Sequence, residues 1–219
     1  GTTITITPHT IGNGTAEPQS FTWTNAVHET SFTFAKDAGV YIQHTNKSLY
    51  TTDEWTSNGF SNDLANGVAV LSSNVGFVIS KGSVNYLTWG DSILVEGVKS
   101  TYTKSEALLD YYGYSNTQKI IAKLGVGNAK AAEYCAAYTF PNGNKGYLPA
   151  LGEWQCCFDN ITAINAAMSL IGGEGLYSVK HWSSTQNGEN SIWYMNPYDG
   201  TANYENRTNN NRVKVFTLL

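Results

Sequence analysis

The sequence predicts an α+β protein. Two observations carry this: apolar and polar residues alternate at period two through the first half and again near the end, and capped helical stripes are confined to the middle. In the first half Ile4 and Ile6 alternate with threonines, and Phe21/Trp23 and Phe32/Phe34 repeat the spacing. The runs Val40–Ile42, Val68–Leu71 and Val75–Ile79 follow, punctuated by turn pairs such as Asn58-Gly59 and Asn66-Gly67. Lys36-Asp37-Ala38-Gly39 separates a β-rich N-terminal segment, residues 1–37, from a larger domain, residues 38–219.

Helices are expected only in the middle. Ser115-Asn116-Thr117-Gln118 has the form of a capping box ahead of Ile120, Ile121 and Leu124, with Gly125 as the stop. Asn128 is placed to cap a second helix through Ala132, Cys135 and Ala136. A third short helix is expected around Trp154, Cys157 and Phe158. Asn160 then caps a fourth with its stripe at Ile161, Ile164, Met168 and Ile171, closed by Gly172-Gly173. Strands resume at Trp182–Thr185, Ser191–Asn196, Thr201–Glu205 and Arg212–Leu219, the last expected to pair back near the first strands of its domain.

Composition narrows function. Of 219 residues, 14% are charged and 13% aromatic, with 14 Tyr, 8 Phe and 6 Trp; an ordinary soluble domain carries about 25% charge. A net charge of -4 without a Lys/Arg cluster argues against nucleic acid as partner, and no apolar run is long enough to form a transmembrane segment. The three cysteines are an odd number, and vicinal Cys156 and Cys157 rarely form an unstrained bridge, so packing is their expected role.

Little in the sequence points to catalysis, a metal or a cofactor. His9, His28, His44 and His181 lie in separate segments without ligand spacing. Gly125-Val126-Gly127-Asn128 follows a helix and lacks a third glycine, which suits a helix stop better than a phosphate loop. Acids at Asp53-Glu54, Asp159, Glu174, Glu189, Asp199 and Glu205 show no pairing legible from spacing. Glu189, Asn190 and Asp199 could supply oxygen ligands to calcium, although no run matches an EF-hand loop.

The unusual segment is 187–211, with eight asparagines in 25 positions against 14 in the other 194, interleaved with Tyr194, Tyr198, Tyr204 and Trp193. Asparagine suits tight turns, which is one reading. The other is a recognition surface, in which tyrosine supplies rigid contact area and asparagine adaptable hydrogen bonding.

The run Gly146-Tyr147-Leu148-Pro149-Ala150-Leu151-Gly152-Glu153-Trp154, followed in order by His181-Trp182-Ser183-Ser184-Thr185, Ile192-Trp193, Asp199-Gly200 and Arg212-Val213, resembles the C-type-lectin-like proteins of bacteria and phages. That group is related to formylglycine-generating enzymes, and the chain is most similar to the variable proteins of diversity-generating retroelements. The resemblance covers roughly 38–219 and is strongest from 134 onward. It implies a mixed, mainly antiparallel sheet with several short helices and much loop, with Trp154, Trp182, Trp193 and Gly200 as scaffold. Candidate ligand-facing positions are Asn190, Ser191, Tyr194, Asn196, Tyr198, Asn203, Tyr204, Asn206, Thr208, Asn209 and Asn210. The reactive cysteine pair of the enzyme branch and the calcium-lectin triplets have no counterpart here, and the ending Val213-Lys214-Val215-Phe216 departs from the usual Val-Arg-aromatic. The function implied is non-enzymatic binding of a protein or glycan receptor by a phage tail or cell-surface adhesin, without cofactor and with a homotrimer as a route to avidity. A calcium-dependent lectin and an enzyme of the formylglycine-generating group are the alternatives.

Overall fold

A computed structural model describes residues 2–6, 19–23, 36–82 and 85–219. The chain divides into two compact units, Gly1–Lys36 and Asp37–Leu219. In the first, β1 (Thr2–Ile6) and β2 (Gln19–Trp23) pair antiparallel, Ile4 opposite Phe21. The strand expected at Phe32 and Phe34, and His9 and His28, lie outside the described residues.

The second unit runs β3 (Gly39–His44), β4 (Leu49–Tyr50), α1 (Thr52–Ser57), β5 (Ala65–Leu71), β6 (Gly76–Ser80), β7 (Asn85–Leu87), α2 (Lys104–Ala107), α3 (Gly113–Leu124), α4 (Lys130–Ala137), α5 (Leu151–Asp159) and α6 (Ile161–Leu170). It closes with β8 (His181–Gln186), β9 (Ser191–Asn196), β10 (Thr201–Asn206), β11 (Asn211–Val213) and β12 (Phe216–Leu218). The α+β expectation holds, but the strands form two five-stranded sheets rather than one: β12-β6-β5-β3-β4 and β10-β9-β8-β11-β7. Pairing is antiparallel except between β11 and β8, where Arg212 meets His181.

The first sheet is covered on both faces, which explains the unbroken burial of residues 65–70. Ile42, Val68, Val70, Phe77 and Ile79 pack with Trp154, Ile164, Met168 and Phe216. The alternate residues Tyr41, Ala69 and Val78 pack on the other side with Trp89, Ile120, Cys135, Trp182 and Val215. A strand with two buried faces has no polar side to show, so the run reads as continuous rather than alternating.

The single final strand expected at 212–219 is two strands in different sheets. Lys214 at the break is buried, its ammonium donating to the carbonyls of Gly82 (3.0 Å) and Glu174 (3.2 Å). Val215 and Phe216 are both buried, one in each of the two apolar layers that flank the first sheet. The chain then crosses to the first sheet, with Phe216 opposite Ile79 of β6. The terminal strand thus joins the sheet of the domain's first strands.

Helix boundaries show what local signals missed. The Ser115 capping box does not form: α3 begins two residues earlier, and Ser115 Oγ donates to the Tyr112 carbonyl. Packing sets that start, because a Cβ on Gly113 would lie 2.2 Å from Glu153 Oε2. Asn128, expected as an N-cap, instead donates to Leu124 O; Asn160 does stand at the N-cap of α6, its carbonyl accepting from Ile164 N, but its side chain donates back to Cys156 O, so both amides serve orphan carbonyls of the preceding helices. Helix α1, unanticipated, carries a full capping box between Thr51 and Glu54. Cys135, Cys156 and Cys157 are free thiols in the interior.

Candidate functional site

The Asn-rich segment forms the exposed margin of the second sheet. Strands β9 and β10 are a hairpin over six residue pairs, from Asn196↔Thr201 to Ser191↔Asn206, and β10 is the outermost strand. Two turns, 197–200 and 207–210, bound β10.

The hairpin stands on buried aromatic supports. Trp154, Trp182 and Trp193 are all buried, and their indole N–H groups donate to the carbonyls of Trp182 (3.1 Å), Leu87 (2.9 Å) and Thr101 (2.9 Å). Gly200 adopts φ +73° in the first turn, and a Cβ there would come within 2.7 Å of the Phe158 ring, so sterics require glycine twice over.

Arg207 anchors the second turn and was not singled out from the sequence. Its side chain is buried and stacked 4.6 Å from the Trp89 ring. It donates to the carbonyls of Asp91 (2.9 Å), Ile93 (2.7 Å) and Gly188 (3.0 Å), tying three loops together. Burial lowers its pKa to about 10, so it stays charged at neutral pH. As the one basic residue in 187–211, it was the available signal.

Of the predicted ligand-facing residues, Asn190, Tyr198, Asn203, Tyr204, Asn206, Thr208, Asn209 and Asn210 are exposed, while Ser191 and Asn196 are half-buried. Tyr194 departs from the expectation: it is 7% exposed and packs with Ile192 and Trp182. The register is the reason. Tyr194 lies opposite Trp182 on β8, so the layer that covers the indole covers the phenol.

The exposed residues also divide between two faces. Cross-strand partners share a face, so Ser191, Tyr204 and Asn206 accompany Trp193, whereas Asn196, Thr201 and Asn203 accompany Tyr194. On the first face the Tyr204 ring, 50% exposed, meets the Trp193 ring nearly edge-on at 5.6 Å. Tyr102, which the sequence reading did not select, adds an exposed ring beside Gly188.

Several asparagines here do structural work. Asn196 Oδ1 accepts from Tyr198 N while its Nδ2 donates to Asp199 Oδ2 (2.8 Å), and Asn206 Oδ1 accepts from both the amide and hydroxyl of Thr208. These are Asx turns. Asn187 and Asn211 are buried, donating to Thr101 O and Glu205 Oε2. Asn190, Asn209 and Asn210 make no side-chain hydrogen bond among the described residues and are free to meet a ligand.

Two of the three carboxylates in 187–211, Asp199 and Glu205, are already engaged, while Glu189 is exposed and accepts no hydrogen bond among the described residues. Asp199 Oδ1 accepts from Thr201 N, and hydrogen bonds from Thr201 hold its carboxyl below the usual range. Glu205 pairs with Lys180, whose pKa that hydrogen bond raises, and accepts from Asn211. No cluster of three or more His, Cys, Asp or Glu able to hold a metal occurs among the described residues. No helix among them is long and apolar enough to cross a membrane.

The fold is similar to the crystal structure of a fimbrial protein from Bacteroides ovatus ATCC 8483, with a TM-score of 0.60 at 12% identity, over 84% of this chain and 49% of that one. The chain thus spans about half that protein's length. No protein-family model and no curated protein sequence matches the chain.

Proposed function

We propose that the chain is a non-enzymatic binding module with a C-type-lectin-like fold, which recognises a protein or glycan receptor through the β9–β10 hairpin and the 207–210 turn. The observation that carries this reading is the pairing of free, exposed Asn190, Asn209, Asn210, Tyr198 and Tyr204 with a rigid base of Trp193, Gly200 and Arg207. Preorganised support lowers the ordering cost of binding, and neutral amides and phenols form adaptable contacts with little charge to desolvate. The likeness to a fimbrial protein is consistent with a cell-surface or extracellular setting; a phage tail, a homotrimer and diversification of 187–211 belong to the same proposal.

The residues in play are fewer than a standard interface of roughly 20 to 30 a side. Neighbouring loops carrying Tyr102, or several copies of the module, would supply the remainder. Joint replacement of Tyr198, Tyr204 and Asn209 by Ala is expected to weaken attachment to receptor-bearing cells at least about tenfold, with a melting temperature within about 3 °C of the parent. Unchanged attachment would sink the assignment. A template copy of codons 187–211 differing only at adenines, beside a reverse-transcriptase gene, would test the diversification reading.

A further inference from the structure

A second concave site lies apart from the Asn-rich hairpin. A cleft of about 470 Å³ opens between the 97–99 loop and the start of α3, lined by Lys99, Asp110, Tyr112, Ser115, Asn116 and Lys119 among others. That volume is in the lower part of the range for small-molecule sites, about 300–1,000 Å³.

Its walls are fixed from behind. Gln186 accepts from Val95 N (2.9 Å) and donates to Val95 O (2.9 Å), Gln186 N donates to Lys99 O (2.8 Å), and Lys119 Nζ donates to Gly97 O (2.7 Å).

The floor holds unused acceptors. Asp110 Oδ2 takes hydrogen bonds from Asn116 Nδ2 (3.0 Å) and Thr185 Oγ1 (2.8 Å), while Oδ1 takes only Tyr112 N (3.1 Å). A carboxylate has about four acceptor sites, which leaves one on Oδ1. Asn116 is 2% exposed and spends its amide N–H groups on Asp110 and Ser184, yet its side-chain oxygen accepts no hydrogen bond among the described residues. That oxygen is not sealed from solvent, so a hydroxyl entering the cleft can donate to it in place of water. At the rim stand the Lys99 ammonium and the Tyr112 ring, 69% exposed.

We propose that this cleft binds one hexose-sized sugar residue, whose hydroxyls donate to Asn116 Oδ1 and Asp110 Oδ1 and accept from Lys99 while its C–H face lies against Tyr112. A fully deprotonated anion such as sulfate offers no proton to these acceptors, whereas a sugar hydroxyl both donates and accepts. A wholly apolar ligand would bury the same acceptors unpaired. The site is independent of the hairpin surface, and neither reading requires the other.

The test is titration of the whole chain with a panel of methyl hexopyranosides and hexuronates, followed by ligand-observed NMR. Binding is expected with a dissociation constant on the order of 1 mM for at least one member. Exposed Lys99→Ala and Tyr112→Ala should each weaken it about tenfold or more, whereas Tyr204→Ala and Asn209→Ala should leave it unchanged. The proposal is overturned if no member binds up to about 50 mM, if sulfate displaces the sugar, or if the Lys99 and Tyr112 variants bind as the parent does. Unchanged receptor attachment in the hairpin variants, with sugar binding intact, would overturn the hairpin reading and leave the cleft standing.

Discussion

Strands β5 and β10 occupy opposite extremes of the same domain. β5 has β3 and β6 on its two edges and apolar layers on both faces. Its residues are correspondingly small or branched, and a Cβ on Gly67 would lie 2.2 Å from Ile79 O. β10 has a neighbour on one edge only, and four of its six residues are exposed. Asn203 and Asn206 can therefore sit there facing solvent, and Tyr204 rests one side of its ring on Trp193 while half of it stays exposed. The difference shows how one domain combines an interior intolerant of change with a margin open to it.

The sharpest way to break this comparison is to attack the support beneath the margin. Trp193→Ala removes a buried indole and its hydrogen bond to Thr101 O and should cost about 4 kcal/mol in chemical denaturation. Arg207→Ala, leaving three loop carbonyls without their donor, should cost about 3 kcal/mol. By contrast, Tyr198→Ala should stay within about 0.5 kcal/mol, as expected for an exposed turn residue. Equal losses for Tyr198 and Trp193 would erase the distinction between margin and support.

A pH series sharpens the comparison from the interior side. Burial raises the Glu153 carboxyl from 4.5 to about 8, against the opposing hydrogen bonds from Ala150 N and Tyr147 OH. The folded state therefore holds a proton that the unfolded chain releases above pH 4.5, and this stabilisation is lost as pH rises through 8. His181 runs the other way: burial lowers it from 6.5 to about 3, so its contribution is lost as pH falls through that window. Lys214, lowered by burial to about 8, changes only above that value. Melting temperature should accordingly decline between pH 6.5 and 8, and Glu153→Gln should flatten the decline; an unaltered slope would remove Glu153 as its source.

The smallest effect expected is that of chelation. Of the candidate calcium ligands Glu189, Asn190 and Asp199, Asp199 is already bonded to protein groups, and two remaining side chains fall short of the roughly six to eight oxygens calcium takes, so EDTA should leave the melting temperature unchanged in calcium-containing buffer. A clear drop would favour a calcium-dependent lectin and make part of the margin a metal site.

Much of the architecture was legible because it rests on local patterns. The apolar runs in 68–71 and 75–79, the stripe from Ile161 to Met168 and the stop at Gly172 are read from neighbours within a few positions. The Thr51–Glu54 capping box is equally local, but it opens a helix of only six residues, too short to show an apolar stripe. Asn128 and Asn160 were ambiguous in principle, since an asparagine between two helices can serve either one, and only backbone geometry chooses.

By itself the sequence determined an α+β chain with helices chiefly in its middle and a neutral, Asn- and Tyr-rich stretch near its end. Tertiary structure decided which of those side chains reach solvent. Tyr194 and Tyr204 look alike in the sequence, yet one is buried opposite Trp182 and the other half-exposed on the outermost strand, because burial depends on what a distant segment lays over each face. Arg207 is likewise a lone cation among asparagines until folding brings the carbonyls of Asp91, Ile93 and Gly188 to it. Hydrogen bonds across more than 100 residues, as from Arg207 to Asp91, leave no trace in local periodicity.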